Sequence, residues 1–203
     1  MLEALADFPA IRLDAHEYNT DFEEEFWRTD ASWKLERGQD FAEPGLPSWE
    51  ALTRGDWGGA LQLGQGLREY RTTLQGRLDA KGIVQSRVRV VSWPLTPYVQ
   101  WELNLLMIWA ELGERIAVIS DTSLQELEGR GRLPEILILG EKQAPMIMYE
   151  ILYHDDGTPA GARKFTDSGL VKACREDVQG LWSAGEELAT YFTREIKDLP
   201  PPR

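Results

Sequence analysis

The hydrophobic rhythm of the chain changes twice between Arg87 and Ile119. Over Ser86 to Ser92 charged and valine positions alternate, the two-residue period of a strand. From Tyr98 to Leu112 the apolar residues Tyr98, Val99, Trp101, Leu103, Leu105, Leu106, Met107, Ile108, Trp109 and Leu112 circle a helical axis, so this helix is expected to be buried on most sides. Thr96 is placed to cap it and Pro97 to occupy its first turn, where a missing N–H costs nothing. Gly113 is the expected stop. Arg115 to Ile119 returns to strand. The segment therefore predicts one strand–helix–strand step.

The flanking patterns complete the picture. Residues 1–30 read as an acidic helix or partly ordered lead-in, with Phe22, Phe26 and Trp27 spaced to pack on the body. Residues 31–47 predict a short strand followed by loop, since two prolines and two glycines fall there. Ser48 is a candidate cap for a short helix, Trp49 to Thr53. Asp56 is a candidate N-cap for a helix carrying Leu61, Leu67, Tyr70, Leu74 and Leu78 up to Gly82. Its internal glycines each cost about 1 kcal/mol relative to Ala, which packing must offset. Downstream, Asp121 to Leu127 predicts a short helix, and Ile136–Leu139 and Met146–Tyr153 predict strands. Asp155-Asp156-Gly157 is a turn signal joining the latter to Ala162–Phe165 as a hairpin. From Asp167 a helix presents Leu170, Val171, Cys174, Val178, Leu181 and Trp182 on one face. Ser183 and Glu186 have the capping-box spacing for a last helix with Leu188, Tyr191, Phe192 and Ile196. The order implies an α/β fold, a mixed sheet flanked by helices with an N-terminal helical extension. The expected division is an acidic extension, 1–30, and a single α/β domain, 31–203.

Charge narrows the possible partners. The chain carries a net −12, and residues 1–30, with nine acidic and two basic residues, hold −7 of it. Such a surface repels phosphate backbones, so direct nucleic-acid binding is not expected. No apolar run reaches the roughly 20 residues of a spanning helix, and the N-terminus lacks the basic-then-apolar pattern of a signal peptide. One cysteine, Cys174, leaves no disulfide framework and no cysteine-rich zinc site within one chain. The expectation is a soluble cytoplasmic protein with no cofactor. No phosphate-cradling loop, dinucleotide fingerprint, nucleophile elbow or zinc-protease motif is present.

Arg87-Val88-Arg89-Val90-Val91, Pro94, Thr96, Tyr98, Glu102-Leu103 and Gly113-Glu114 carry a family resemblance. The hairpin M-Y-E-I-L-Y-H-D-D-G, the Q-G-L-W of the closing helix, and the upstream W-K-L-E and P-S-W-E-A-L-T-R-G-D-W extend it. Over residues 27–200 the chain resembles the actinobacterial domain-of-unknown-function 6879 family. That resemblance implies a regulatory accessory role beside a helix-turn-helix regulator. More distantly, the element order is similar to a phospholipase-D-like half-domain. The catalytic His-x-Lys signature of that superfamily is absent: His16 is followed by Glu17-Tyr18 and His154 by Asp155-Asp156. A phospholipase-D-like relation then implies a fold without the phosphodiesterase chemistry.

The candidate ligand-binding residues are Arg87, Arg89, Tyr98, Trp101 and Glu102. Arg87 and Arg89, two apart on a strand, project from one sheet face. Glu102 lies four residues after Tyr98 on the buried helix and needs a partner, for which an arginine is suited. Two readings stay open: a polar pocket for an anionic or amino-acid-like ligand, or an Arg–Glu bridge locking helix to sheet. Seven of the eight tryptophans fall within residues 27–109 and either wall a cavity or cover a core. His154-Asp155-Asp156 reads as a turn rather than a metal site, and Cys174 as a buried filler. The function expected is a non-catalytic regulatory or interaction protein, with a protein partner or a small-molecule ligand. The alternative is an enzyme of unrecognised type using Glu102 or His154 as its acid–base group.

Overall fold

The computed structural model describes residues 1–142 and 146–202. Arg203, the last residue of the expected α/β domain, lies outside them. Eight strands form one mixed sheet: β1 (Ile11–Leu13), β2 (Ala31–Glu36), β3 (Val84–Val91), β4 (Arg115–Ser120), β5 (Glu135–Leu139), β6 (Ile147–Tyr153), β7 (Pro159–Phe165) and β8 (Glu186–Glu187). Their spatial order is β1-β7-β6-β5-β2-β3-β4-β8. β2, β3 and β4 run parallel, and every other pairing is antiparallel. The helices are α1 (Ala15–Phe26), α2 (Pro47–Thr53), α3 (Trp57–Gln65), α4 (Arg68–Lys81), α5 (Pro97–Glu111), α6 (Ser168–Ala184) and α7 (Leu188–Tyr191), the last running into a π-helical turn, Phe192–Ile196. This is an α/β protein. Among the described residues no helix is long and apolar enough to cross a membrane.

Side-chain alternation divides the sheet into two different faces. Trp33, Leu35, Val88, Val90, Ile136, Ile138 and Met148 point to one face and join Val171, Cys174 and Val178 of α6 in a buried apolar core. The opposite face is covered in two places. Helix α5 and α7 pack with Val91, Ile116 and Val118. Phe26 of α1 and Leu78 of α4 pack with Leu139, Tyr149 and Ala162, flanked by Tyr18, Phe22 and Trp27. Between these two patches β2 shows Lys34 and Glu36, and β3 shows Arg87 and Arg89.

The central step forms as its sequence predicts. Thr96 accepts the Val99 N–H at 3.1 Å, Pro97 opens α5, and Gly113 takes a left-handed φ of +121° just beyond the helix end. Nine residues of α5 are buried, from Tyr98 to Ile108, so the helix is enclosed by the sheet, α2, α3 and α7. Asp56 caps α3 by accepting the Gly59 N–H at 2.9 Å. The helix expected from Asp56 to Gly82 is broken at Gly66 and Leu67 into α3 and α4. The glycines have a packing role at one point: a Cβ on Gly64 would stand 3.1 Å from Leu105, so a larger residue there would require that side chain to shift.

Three local expectations are corrected. Ser48 does not cap α2. Pro47 opens that helix, and Ser48 lies buried, donating to the Ala60 carbonyl at 2.6 Å and accepting from Trp101 Nε1 at 2.8 Å. Ser183 and Glu186 make no capping box. Helix α6 runs on to Ala184, and Glu186 falls in β8, where it pairs with Arg194 at 2.5 Å. Asp121–Leu127 forms two short 3-10 turns, Asp121–Leu124 and Leu127–Arg130. In residues 1–30, Leu2 and Leu5 enter the core beneath α6, β1 pairs with β7, and α1 packs on the opposite face.

The assignment of faces is open to measurement. Leu35→Ala deletes a fully buried side chain and should lower unfolding free energy by about 2–5 kcal/mol in urea titrations. Ile11→Ala, on the exposed edge strand, should change it by about 0.5 kcal/mol or less. Equal losses at the two positions would contradict the facing described here.

Candidate functional site

The strand W-K-L-E gives the site its floor. Trp33 and Leu35 face α6, so Lys34 and Glu36 must face the other way. Parallel pairing sets Lys34 beside Arg87 and Glu36 beside Arg89. Two cations on directly paired positions repel unless an anion sits between them. Glu36 supplies it: one oxygen pairs with Lys34, and the other accepts from Arg87 Nη1 at 2.6 Å. Arg87 Nε reaches Glu114 at 2.7 Å, and the second oxygen of Glu114 accepts from Arg71 at 2.8 Å. Arg71 also donates to Gln85 at 2.7 Å. The result is a continuous chain of ion pairs, Lys34–Glu36–Arg87–Glu114–Arg71.

Arg89 and Glu102 form a separate, deeper pair at 2.6 Å, with Arg89 fully buried. Arg89 Nη1 donates to the carbonyls of Gly38 at 2.6 Å and Val90 at 2.9 Å, fixing the chain as it leaves β2. Tyr98 donates to Glu43 at 3.1 Å and lies 3.5 Å from Glu102. Burial holds the Glu102 carboxyl above its ordinary range against the pull of Arg89. Burial alone would raise Glu36 as well, but Arg87, Lys34 and Arg89 together hold it well below the usual carboxylate range.

Above this floor a cleft of about 670 Å³ opens between α1 and α4. Tyr18, Asn19, Phe22, Glu23 and Trp27 line one wall, and Tyr70, Leu74 and Arg77 the other. Lys34, Gln85, Arg87, Glu114 and Tyr153 lie across its base. Arg77 stacks on Trp27, 4.2 Å from the ring centre. The volume and the mixture of aromatic walls with a few convergent polar groups suit a small molecule.

The structure therefore separates the five candidate residues. Arg87 lies in the cleft floor. Trp101 and Glu102 of α5 and Arg89 of β3 are buried, and Arg89 and Glu102 make the helix-to-sheet bridge. Tyr98 lines a smaller hollow with Asp40, Phe41, Trp49 and Asp155. His154 to Gly157 forms the hairpin turn, with Gly157 at φ +81° and its carbonyl accepting from Ala42 N–H at 3.0 Å. Among the described residues no group of three or more His, Cys, Asp or Glu is placed to hold a metal ion. Cys174 is buried on α6, and burial pushes its thiol up to about 12. Sequence reasoning missed Lys34, Glu36, Glu114 and the aromatic wall of α1. The alternation of W-K-L-E beside R-V-R-V was the available signal for the first two.

The model for the family described as Domain of unknown function (DUF6879) matches residues 20–193. The chain belongs to this family. Its matched region runs from α1 through α7 and so includes every cleft residue except Ala15, Tyr18 and Asn19. No curated protein matches the chain.

A second acidic group stands at the end of the sheet. Glu135 accepts from the backbone N–H groups of Arg37 and Gly38, at 3.0 and 2.5 Å. Burial, with Glu36 nearby, pushes its carboxyl up to about 7.

Two predictions follow from this electrostatic arrangement. Glu102→Ala leaves Arg89 buried and unpaired and should cost about 3–5 kcal/mol. Glu111→Ala, which breaks the exposed pair with Arg68, should cost about 0–1 kcal/mol in the same urea titration. Glu135 makes stability fall as pH rises from about 4.5 towards 7, because the folded chain keeps a proton that the unfolded chain has released. Glu36 acts with the opposite sign, and its contribution is lost as pH falls into the acid range. Glu135→Gln should therefore flatten the decline between about pH 5 and 7 in unfolding measured at stepped pH. An unchanged slope would show that Glu135 titrates normally.

Proposed function

We propose that this protein is a non-catalytic regulatory module that binds a small molecule in the cleft between α1 and α4. The observation that carries the reading is the open charged floor. Three side chains of the ion chain, Lys34, Arg87 and Glu114, line a cavity of ligand size, and Lys34 is open to it. An ion chain serving only to join elements gains nothing from facing an open cleft. Its Lys34 end loses strength there, because water screens that charge.

The resemblance to the phospholipase-D-like half-domain fits a binding role. Neither histidine is followed by the lysine that phosphodiesterase chemistry requires. A protein partner of helix-turn-helix type, in the cytoplasm, is the natural recipient of the signal. With a net −12 the chain would act through that partner and not on nucleic acid directly. A second reading, an enzyme, has one observation behind it: Glu135, near 7, lines a hollow of about 480 Å³ with Tyr153 and His154.

The test is to equilibrate the protein with a small-molecule extract of its native cells and identify retained compounds by mass spectrometry. Asn19 is exposed on α1 at the cleft wall, so Asn19→Trp blocks the cleft without touching the core. The expected result is a compound retained by the wild-type chain, lost with Asn19→Trp and returned unchanged. No difference between the two proteins would overturn the binding reading. A compound consumed by the wild type but not by Glu135→Gln would favour the enzyme.

A further inference from the structure

The cleft floor has a surplus of donors over acceptors, and this surplus names a ligand class. The inference rests on the binding reading above. In the chain Lys34–Glu36–Arg87–Glu114–Arg71, three cations alternate with two carboxylates, so a cation stands at each end. Both oxygens of Glu36 are taken, by Lys34 and Arg87, and both oxygens of Glu114 are taken, by Arg87 and Arg71. The Arg71 end is closed: that side chain is buried, bonded to Gln85, and lies over the Trp109 ring at 5.4 Å. The Lys34 end is open. Its side chain is 34% exposed, lines the cleft, and has Glu36 as its one ion-pair partner among the described residues. Arg87 Nη2 makes no hydrogen bond among the described residues, although Nε and Nη1 are both engaged. A ligand that completes this floor must bring acceptors and one negative charge.

The walls specify the rest of the ligand. Tyr18 and Phe22 stand 5.9 Å apart, ring to ring, on α1. Tyr70, opposite them on α4, is 67% exposed, a large ring with little part in the core. Rings that line a cleft in this way present flat apolar faces, to which another ring binds well.

We propose that the cleft selects a small aromatic monoanion, its carboxylate against Lys34 and Arg87 and its ring between the aromatic wall of α1 and Tyr70. A single surplus charge matches a carboxylate better than a dianionic phosphate. At the walls Glu23 and Arg77 offset each other and leave the surplus at one charge.

The experiment is calorimetric titration of the full chain with three matched probe sets. These are benzoate, phenylacetate and indole-3-acetate, then their primary amides, then benzylamine, phenethylamine and tryptamine. At least one carboxylate should bind, with its amide and amine counterparts about tenfold weaker or more. Lys34→Gln removes the open charge while leaving Glu36 paired with Arg87, and should weaken carboxylate binding by about tenfold. Tyr70→Ala, at an exposed position, leaves the fold intact and should weaken all ring-bearing probes. Amides or amines that bind as well as the acids would overturn the proposed class while leaving the cleft as a binding site. Carboxylate binding unaffected by both substitutions would place the site elsewhere and overturn the proposal together with the cleft reading. No binding by any probe at millimolar concentration would also overturn the class, and the cleft reading would then rest on the extract experiment alone.

Discussion

Glu36 is the charge on which the middle of this protein depends. It lies at the end of β2 and is almost fully buried, yet it sits beside three cations, Lys34, Arg87 and Arg89. Without it, parallel pairing would set Lys34 against Arg87 across two adjacent strands with nothing between them. With it, each strand carries a charge that the other requires. The register of β2 on β3 is thus held by electrostatics on one face and by Trp33, Leu35, Val88 and Val90 on the other. A one-residue slip would expose the apolar set and bury the charges unpaired, so both faces oppose it.

The same arrangement ties distant parts of the chain to the sheet. Arg87 reaches Glu114 just before β4, and through it Arg71 on α4. Arg89 reaches Glu102 on α5 and the carbonyl of Gly38, where the chain leaves β2. Glu135, at the start of β5, accepts from the Arg37 and Gly38 N–H groups of that exit. Glu36, Glu102 and Glu114 come from β2, α5 and the turn before β4, and each lies at least 13 residues from the arginine it meets. Buried ion pairs contribute little net stability once desolvation is counted, but they are costly to break. Their effect here is to fix which elements meet and in what register, leaving bulk stability to the two apolar layers.

Much of the fold is legible from local signals. Thr96-Pro97 and Gly113 bound α5, Asp56 and Asp167 cap their helices, and valine alternation marks β3. These are short-range effects that a sequence states directly. What failed was of two kinds. Ser48 and Ser183 resemble caps, but tertiary contacts claimed one, and the helix simply ran past the other. β1 and β8 span three and two residues, too short for any period to show. The candidate site was legible by half. Glu102 on the buried helix required an arginine, and Arg89 is that arginine. The partners of Arg87 lie 51 and 27 residues away, and no spacing rule connects them. The cleft lies where α1 and α4, which meet at Trp27 and Arg77, leave Lys34 uncovered, a property of packing rather than of any residue pattern.

The polar face also bears on why the cleft stays open. A gap of this size above an apolar floor would be a strong driving force for the flanking helices to close over it. Above Lys34 and Arg87 that force is absent, because closure would strip water from a lysine whose ammonium has donors left over. Aromatic walls and charged floor are therefore coupled. The walls stay apart over Lys34, which is better solvated than buried, and the rest of the floor can remain charged because Glu36 and Glu114 neutralise most of it. A molecule that supplied the missing negative charge and a flat apolar body would satisfy both at once. That is the physical sense in which the cavity is shaped by what it lacks.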